Sequence, residues 1–216
     1  LLHAPWAQVI SIRGDRQVPE RGDVHADIVL SGENLPYERQ PTLRLLRIGG
    51  ALSGNWDVTG DVGVVYAASI DPLWSAHVDG EVMTVLSRGD AGGTLTAESI
   101  RMVHVRGSLR DAVLRATGAF DPEGETLGRV FVGMEIDNSQ ITSVGNVGMI
   151  VAGAINGSSL TAGAGGPSSV PPSTRDCFSA EATIGRVIVR GIRGEDICLA
   201  DTDIAAWSLG QVRLPE

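Results

Sequence analysis

The stretch from Leu127 to Gly163 spells out nearly the same pattern twice, and that repetition constrains the fold more than any other feature of the chain. Leu127-x-x-Val130-x-Val132-Gly133 is followed, roughly 20 residues later, by Val147-x-x-Ile150-x-Ala152-Gly153. Each copy continues with an isolated apolar residue (Ile136, then Ile155) and a second one (Ile141, then Leu160). Thr142-Ser143 and Thr161-Ala162 close the two copies. A repeat of this length is one structural unit stacked on its neighbour.

The unit sustains no apolar spacing of three and four, so it does not describe an amphipathic helix. Val130-x-Val132 and Ile150-x-Ala152 are short alternating pieces instead, each turning its apolar side chains to one face. Glycine breaks the pieces where a side chain would obstruct a bend. Three such pieces per repeat describe an all-β fold, a right-handed parallel β-helix (solenoid) of about 18–20 residues per coil. A leucine-rich repeat has a similar period but needs a recurring asparagine, and none recurs. A glycine-rich β-sandwich with accidental self-similarity is the competing description.

The same columns run along the whole chain. Their first position is taken by Trp6, Leu43, Val62, Val82, Ile100, Leu127, Val147, Ile184 and Ile204. Three residues on stand Val9, Leu46, Val65, Val85, Val103, Val130, Ile150, Val187 and Trp207, and every entrant in both columns is apolar. Two further on come Ser11, Ile48, Ala67, Ser87, Val105, Val132, Ala152, Val189 and Leu209. Trp56, Leu95, Val113, Ile141, Leu160 and Ile197 form a third inward column. Short strands are expected at 45–48, 62–67, 82–86 and 100–105.

Aromatic residues make up only 4% of the chain, so the core is built from Val, Ile, Leu and Ala, which suits thin layers one side chain deep. About eleven coils spaced ~4.8 Å apart would give a rod of ~50 Å. Residues 1–42 are the irregular N-terminal coils, with one degenerate coil expected between Trp6 and Leu43. Residues 43–216 form the regular β-helix, interrupted by loop insertions at 120–126 (FDPEGET) and 163–182, where GAGGPSSVPPS cannot form a coil. Neither terminus carries a helical cap, and the chain reads as a piece processed or cut from something longer.

Net charge is −9 and all 17 basic residues are arginine. This balance, without a basic run, argues against nucleic acid or an anionic membrane as partner. No apolar run reaches the length of a membrane span.

Three Arg-Gly-Asp triplets begin at Arg13, Arg21 and Arg88. Glycine marks corners throughout and Arg-Gly recurs at Arg106, Arg190 and Arg193 without aspartate, so corner geometry explains the triplets better than adhesion recognition. His3, His25, His77 and His104 lack metal-ligand spacing, and no nucleophile elbow, P-loop or dinucleotide fingerprint occurs. No cofactor is expected; calcium could bind near Asp57 and Asp61. Enzymes built on β-helices gather carboxylates on one sheet face. Here the outward residues Gly128, Arg129 and Phe131, then Gly148, Met149 and Val151, assemble no such cluster, although Asp71, Asp79, Asp90 and Glu98 could meet on another face. Thr96, Thr142 and Thr161 occupy equivalent outward positions, interrupted by Leu114 and Cys198, and suit a solvated surface. Cys177 and Cys198 are the only cysteines, and a bridge between them would tie the Pro-rich loop to the last coils and imply export.

Leu127-Gly-Arg-Val-Phe-Val-Gly, Asn146-Val-Gly-Met-Ile-Val-Ala-Gly and Ile184-Gly-Arg-Val-Ile-Val-Arg-Gly resemble the Ile-Gly-x-Val-x-Val-x-Gly coils of large bacterial surface β-helix proteins. The resemblance covers about residues 43–214; the first 42 residues depart from it. It implies a parallel β-helix, export to the cell surface or extracellular space, and a scaffold or adhesive role, with no catalytic residue to carry over. The expected function is a non-catalytic structural or adhesive segment of a bacterial surface assembly, self-associating axially or joined to neighbouring domains. A polysaccharide-binding or polysaccharide-cleaving β-helix is the alternative.

Overall fold

Alternation along each strand sets one row of side chains inward and one outward, and layers of such strands then stack in parallel. In the structure, a computed structural model, residues 1–14, 22–37, 40–163, 178–195 and 198–215 are described. Among them there is no α-helix and every strand pairing is parallel. The protein is therefore all-β, with a parallel sheet compatible with a β-solenoid.

The pairings fall into three ladders. The long ladder runs through Ala7–Ile12, Leu43–Ile48, Val62–Ala67, the ends of Ser75–Ser87 and Ala91–Val105, then Glu125–Val132, Asn146–Ala152, Thr183–Val189 and Ser208–Arg213. A short ladder links Val24, Leu52, Ile70, Ala91, Leu109, Ile136, Ile155 and Leu199. The third aligns Leu2, Ile28, Trp56, Ala76, Leu95, Leu114, Ile141, Leu160 and Ile204. The inward columns of the three ladders meet in one core.

The central columns of the long ladder have the register the spacing predicts. Leu43, Val62, Val82, Ile100, Leu127, Val147 and Ile184 pair in sequence. In the next inward column, Val103, Val130, Ile150 and Val187 are between 0% and 2% exposed. Each buried Val, Leu or Ile stabilises the fold by ~1.5–3 kcal/mol relative to an exposed one.

The outer layers differ from the expectation. Ala7, not Trp6, pairs with Leu43, and Ile10, not Val9, pairs with Leu46. Val9 is exposed, because Val9-Ile10 offers an apolar residue in both phases of alternation and the stack selects the second. At the other end, Ile204 pairs with Leu160 in the third ladder, while Leu209 and Val212 stack on Ile184 and Val187. Leu209-Gly210 repeats the apolar-glycine pair of Leu127-Gly128, Val147-Gly148 and Ile184-Gly185, a better guide than distance along the chain. Leu114 rather than Val113 faces inward, between Leu95 and Ile141, and the expected inward Ile197 lies outside the described residues.

Two long intervals are crossed in one step. Ala7 pairs directly with Leu43 and Val147 directly with Ile184, so no further coil fits between them. The long ladder accordingly has nine strands among the described residues, fewer than eleven coils require.

The corner from the short to the third ladder needs a left-handed residue, which L-side chains rarely adopt. Gly54, Gly93, Asp111, Asn138, Gly157 and Asp201 supply it, with φ between +46° and +103°. Aspartate and asparagine tolerate this region best after glycine, and the Asn138 amide donates to Asp111 Oδ1 at 2.5 Å. Just past the corner, the buried Ser139 hydroxyl accepts the N–H of Ala112, and Ser158 accepts that of Ser139, both at 3.1 Å. These two serine hydroxyls thereby link successive layers along the axis.

Candidate functional site

Two clefts lie along the outer side of the long ladder. One lies beside the 120–126 insertion. Asp121 accepts the N–H of Glu123 at 2.9 Å to turn the loop. The Asn146 amide then clamps it by donating to the carbonyls of Asp121, Pro122 and Gly124 at 2.9–3.3 Å. Against this wall, Glu81, Met83, Arg101, Glu125 and Arg129 line a cleft of about 640 Å³. Arg101 grips Glu81 through Nε and, at 3.3 Å, Nη2. The hydrogen bond to Glu81, and then its charge, raise the Arg101 pKa above the ordinary arginine value.

The other cleft, of about 670 Å³, lies against the first four strands of the ladder, with Arg13, Arg47, Arg88 and Tyr66 in its lining. Arg47 pairs with Tyr66 across adjacent strands. The guanidinium carbons of Arg47 and Arg88 each stand 5.6 Å from the Tyr66 ring centre.

Three of the four carboxylates weighed in the sequence as an active-site group are engaged separately. Asp71 accepts the N–H of Leu73 at 2.8 Å, Asp79 meets His77 Nε2 at 2.9 Å, and Asp90 accepts the N–H of Ser108 at 2.8 Å. Glu98 is exposed on the strand Ala91–Val105. Asp57 points outward from Asn55–Val58, and Asp61 accepts the N–H of Glu81 at 2.8 Å. Among the described residues no group of three or more His, Cys, Asp or Glu is placed to hold a metal ion.

Among the described residues, the Gly-Asp pairs Gly22-Asp23 and Gly89-Asp90 of two Arg-Gly-Asp triplets stand at corners. Asp90 bonds the Ser108 N–H, and Asp23 bonds the Ala51 N–H at 2.7 Å, so both carboxylates staple one layer to the next. Asp15 and Arg21 lie outside the described residues. His25 bonds the Ser53 hydroxyl, and His104 packs edge-on to Phe131 at 6.2 Å. The threonine column reads Thr96, Arg115, Thr142, Thr161 and Ala205, so Arg115 and Ala205, not Leu114 and Cys198, interrupt it. Arg115 stands where Leu114 was expected because Leu114 itself faces inward. Cys198 is half-buried against the core, with no disulfide among the described residues; Cys177 lies outside them.

Sequence reasoning passed over Tyr66 and its arginines. A signal was present: arginine directly follows the strands ending at Ile12, Ser87, Val105 and Val189. No helix among the described residues is long and apolar enough to cross a membrane. Comparison with known proteins finds no matching family model, curated protein or solved structure.

Proposed function

We propose that this chain is a structural, non-catalytic segment of a bacterial surface or extracellular assembly, a right-handed parallel β-helix of about 18–20 residues per coil that stacks end to end. The observation that carries this reading is the state of the last layer. Leu209 and Val212 occupy inward columns whose members from Leu43 and Leu46 to Ile184 and Val187 are buried, yet they are 45% and 43% exposed. At the opposite end Ile12 is 37% exposed in the first long-ladder strand. Among the described residues each end layer thus offers apolar side chains and a row of backbone donors and acceptors paired on one side only, a template for another parallel strand. Another copy of the chain, docked head to tail, covers both ends with the pairing the interior already uses, and such a contact propagates as a filament. Export and a Cys177–Cys198 bridge belong to the same proposal.

Light scattering across a concentration series tests it. The mean mass is expected to rise with concentration; a strictly monomeric species at the highest concentration overturns axial assembly.

A further inference from the structure

We propose that the cleft holding Arg13, Arg47 and Arg88 binds a small ligand carrying two or more oxyanion groups. Arg13, Gly49, Ala68 and Arg88 each directly follow the last residue of consecutive long-ladder strands. They therefore lie side by side on four successive layers. The two inner positions hold Gly49 and Ala68 and the two outer ones arginine, which makes a notch with a low floor and cationic walls. Three interstrand steps of ~4.8 Å set the walls roughly 14 Å apart at the backbone, a span that suits more than one anionic group.

Two of the guanidinium groups are held in place. Those of Arg47 and Arg88 share the Tyr66 ring, and Arg88 also donates to the Gly49 carbonyl at 3.4 Å, which draws it over the floor of the notch. A guanidinium stacked on an aromatic ring keeps its in-plane N–H fork free for a carboxylate, phosphate or sulfate oxygen pair.

These arginines also lack what other arginines of the chain have. Arg101 is paired with Glu81, and Arg110 lies 3.6 Å from Glu135. Among the described residues none of Arg13, Arg47 and Arg88 has a carboxylate partner. The nearby Asp23 and Asp90 each bond a backbone N–H. Three unpaired cations converging in one cleft of a chain with net charge −9 repel one another, and an anion relieves that repulsion. The cleft volume of about 670 Å³ is that of a small-molecule site.

The test is isothermal titration of the full chain at low ionic strength with citrate, pyrophosphate and acetate in separate arms. Citrate and pyrophosphate distinguish a carboxylate carrier from a phosphate carrier, and acetate reports the value of a single group. One ligand per chain is expected for citrate or pyrophosphate, weakening as salt is added, with acetate far weaker. Arg47→Gln and Arg88→Gln should each lower the affinity about tenfold or more, because each removes a charged hydrogen-bonding fork. Tyr66→Leu should lower it severalfold, and Arg129→Gln, in the other cleft, should leave it unchanged. All four side chains lie outside the core, and melting curves verify that the variants fold. The proposal fails if neither polyanion binds with Kd below ~1 mM. It fails equally if Arg47→Gln and Arg88→Gln bind like the parent, or if Arg129→Gln loses as much as they do. The binding readout is independent of axial assembly, so a monomeric chain that binds citrate separates the two proposals.

Discussion

The carboxylate of Asp90 accepts the backbone N–H of Ser108 at 2.8 Å, reaching from one layer of the stack to the next. It can do so because Gly107 precedes Ser108: a Cβ there would collide with Asp90 Oδ1. The arrangement recurs. Asp23 bonds Ala51 beside Gly50, and Asp61 bonds Glu81 beside Gly80, where a Cβ would stand 2.6 Å from the carboxylate. A Gly-Asp corner in one layer thus requires glycine in the layer above.

Asp90→Ala should lower stability by about 1–2 kcal/mol, since it removes the acceptor of a layer-to-layer bond, and Asp90→Asn should recover most of the loss. Gly107→Ala should cost less in the Asp90→Ala background than alone, with a coupling of about 0.5 kcal/mol or more. Denaturant melts of the single and double variants measure both. Strict additivity would mean that the carboxylate and the glycine do not interact.

Val130→Asp places an unpaired charge in a column that is 0% exposed and should cost more than ~4 kcal/mol. Thermal melting within a degree of the parent would refute the register.

Val212→Asp makes the same change in the same column but in the exposed last layer. Its effect on monomer stability should stay within about 0.5 kcal/mol, while the concentration-dependent rise in mass should disappear. Unchanged association in this variant would remove the last layer from the contact.

Asn138 has φ +46° at the corner between the short and third ladders. Asn138→Ala should cost about 1–2 kcal/mol from backbone strain, with the bond to Asp111 lost as well, and Asn138→Gly should be milder because glycine adopts this conformation freely. Chemical denaturation of the pair checks the order; an alanine variant more stable than the glycine variant would contradict the corner.

Alkylation and mass spectrometry without reductant should find no free thiol if Cys177 and Cys198 are bridged. Two alkylated cysteines in the native protein would discard the bridge, and the argument for export would lose its main support.

The interior columns were legible in the sequence because each layer repeats the same local demand. Leu127, Val147 and Ile184 are apolar at one phase of alternation, and a one-residue slip would turn every side chain of a strand to the wrong face. That constraint weakens where a layer has a neighbour on one side only. Val9-Ile10 and Ile204 to Leu209 each admit two phases, and contact with Leu45–Leu46, Leu160 and Ile184 selected one. The Gly-Asp corners were visible as triplets, but their role was not, since a carboxylate and the N–H it serves are 18 to 28 residues apart in the chain. The arginine cleft lay further from reach. Arg13 and Arg88 stood out only as the starts of triplets and Arg47 and Tyr66 not at all; the four belong to different repeats, and only stacking the layers side by side brings them onto one surface. Local alternation therefore determined which residues face inward, because burial is decided strand by strand. The tertiary stack decided the outer layers and the site, because both depend on which layer lies next to which.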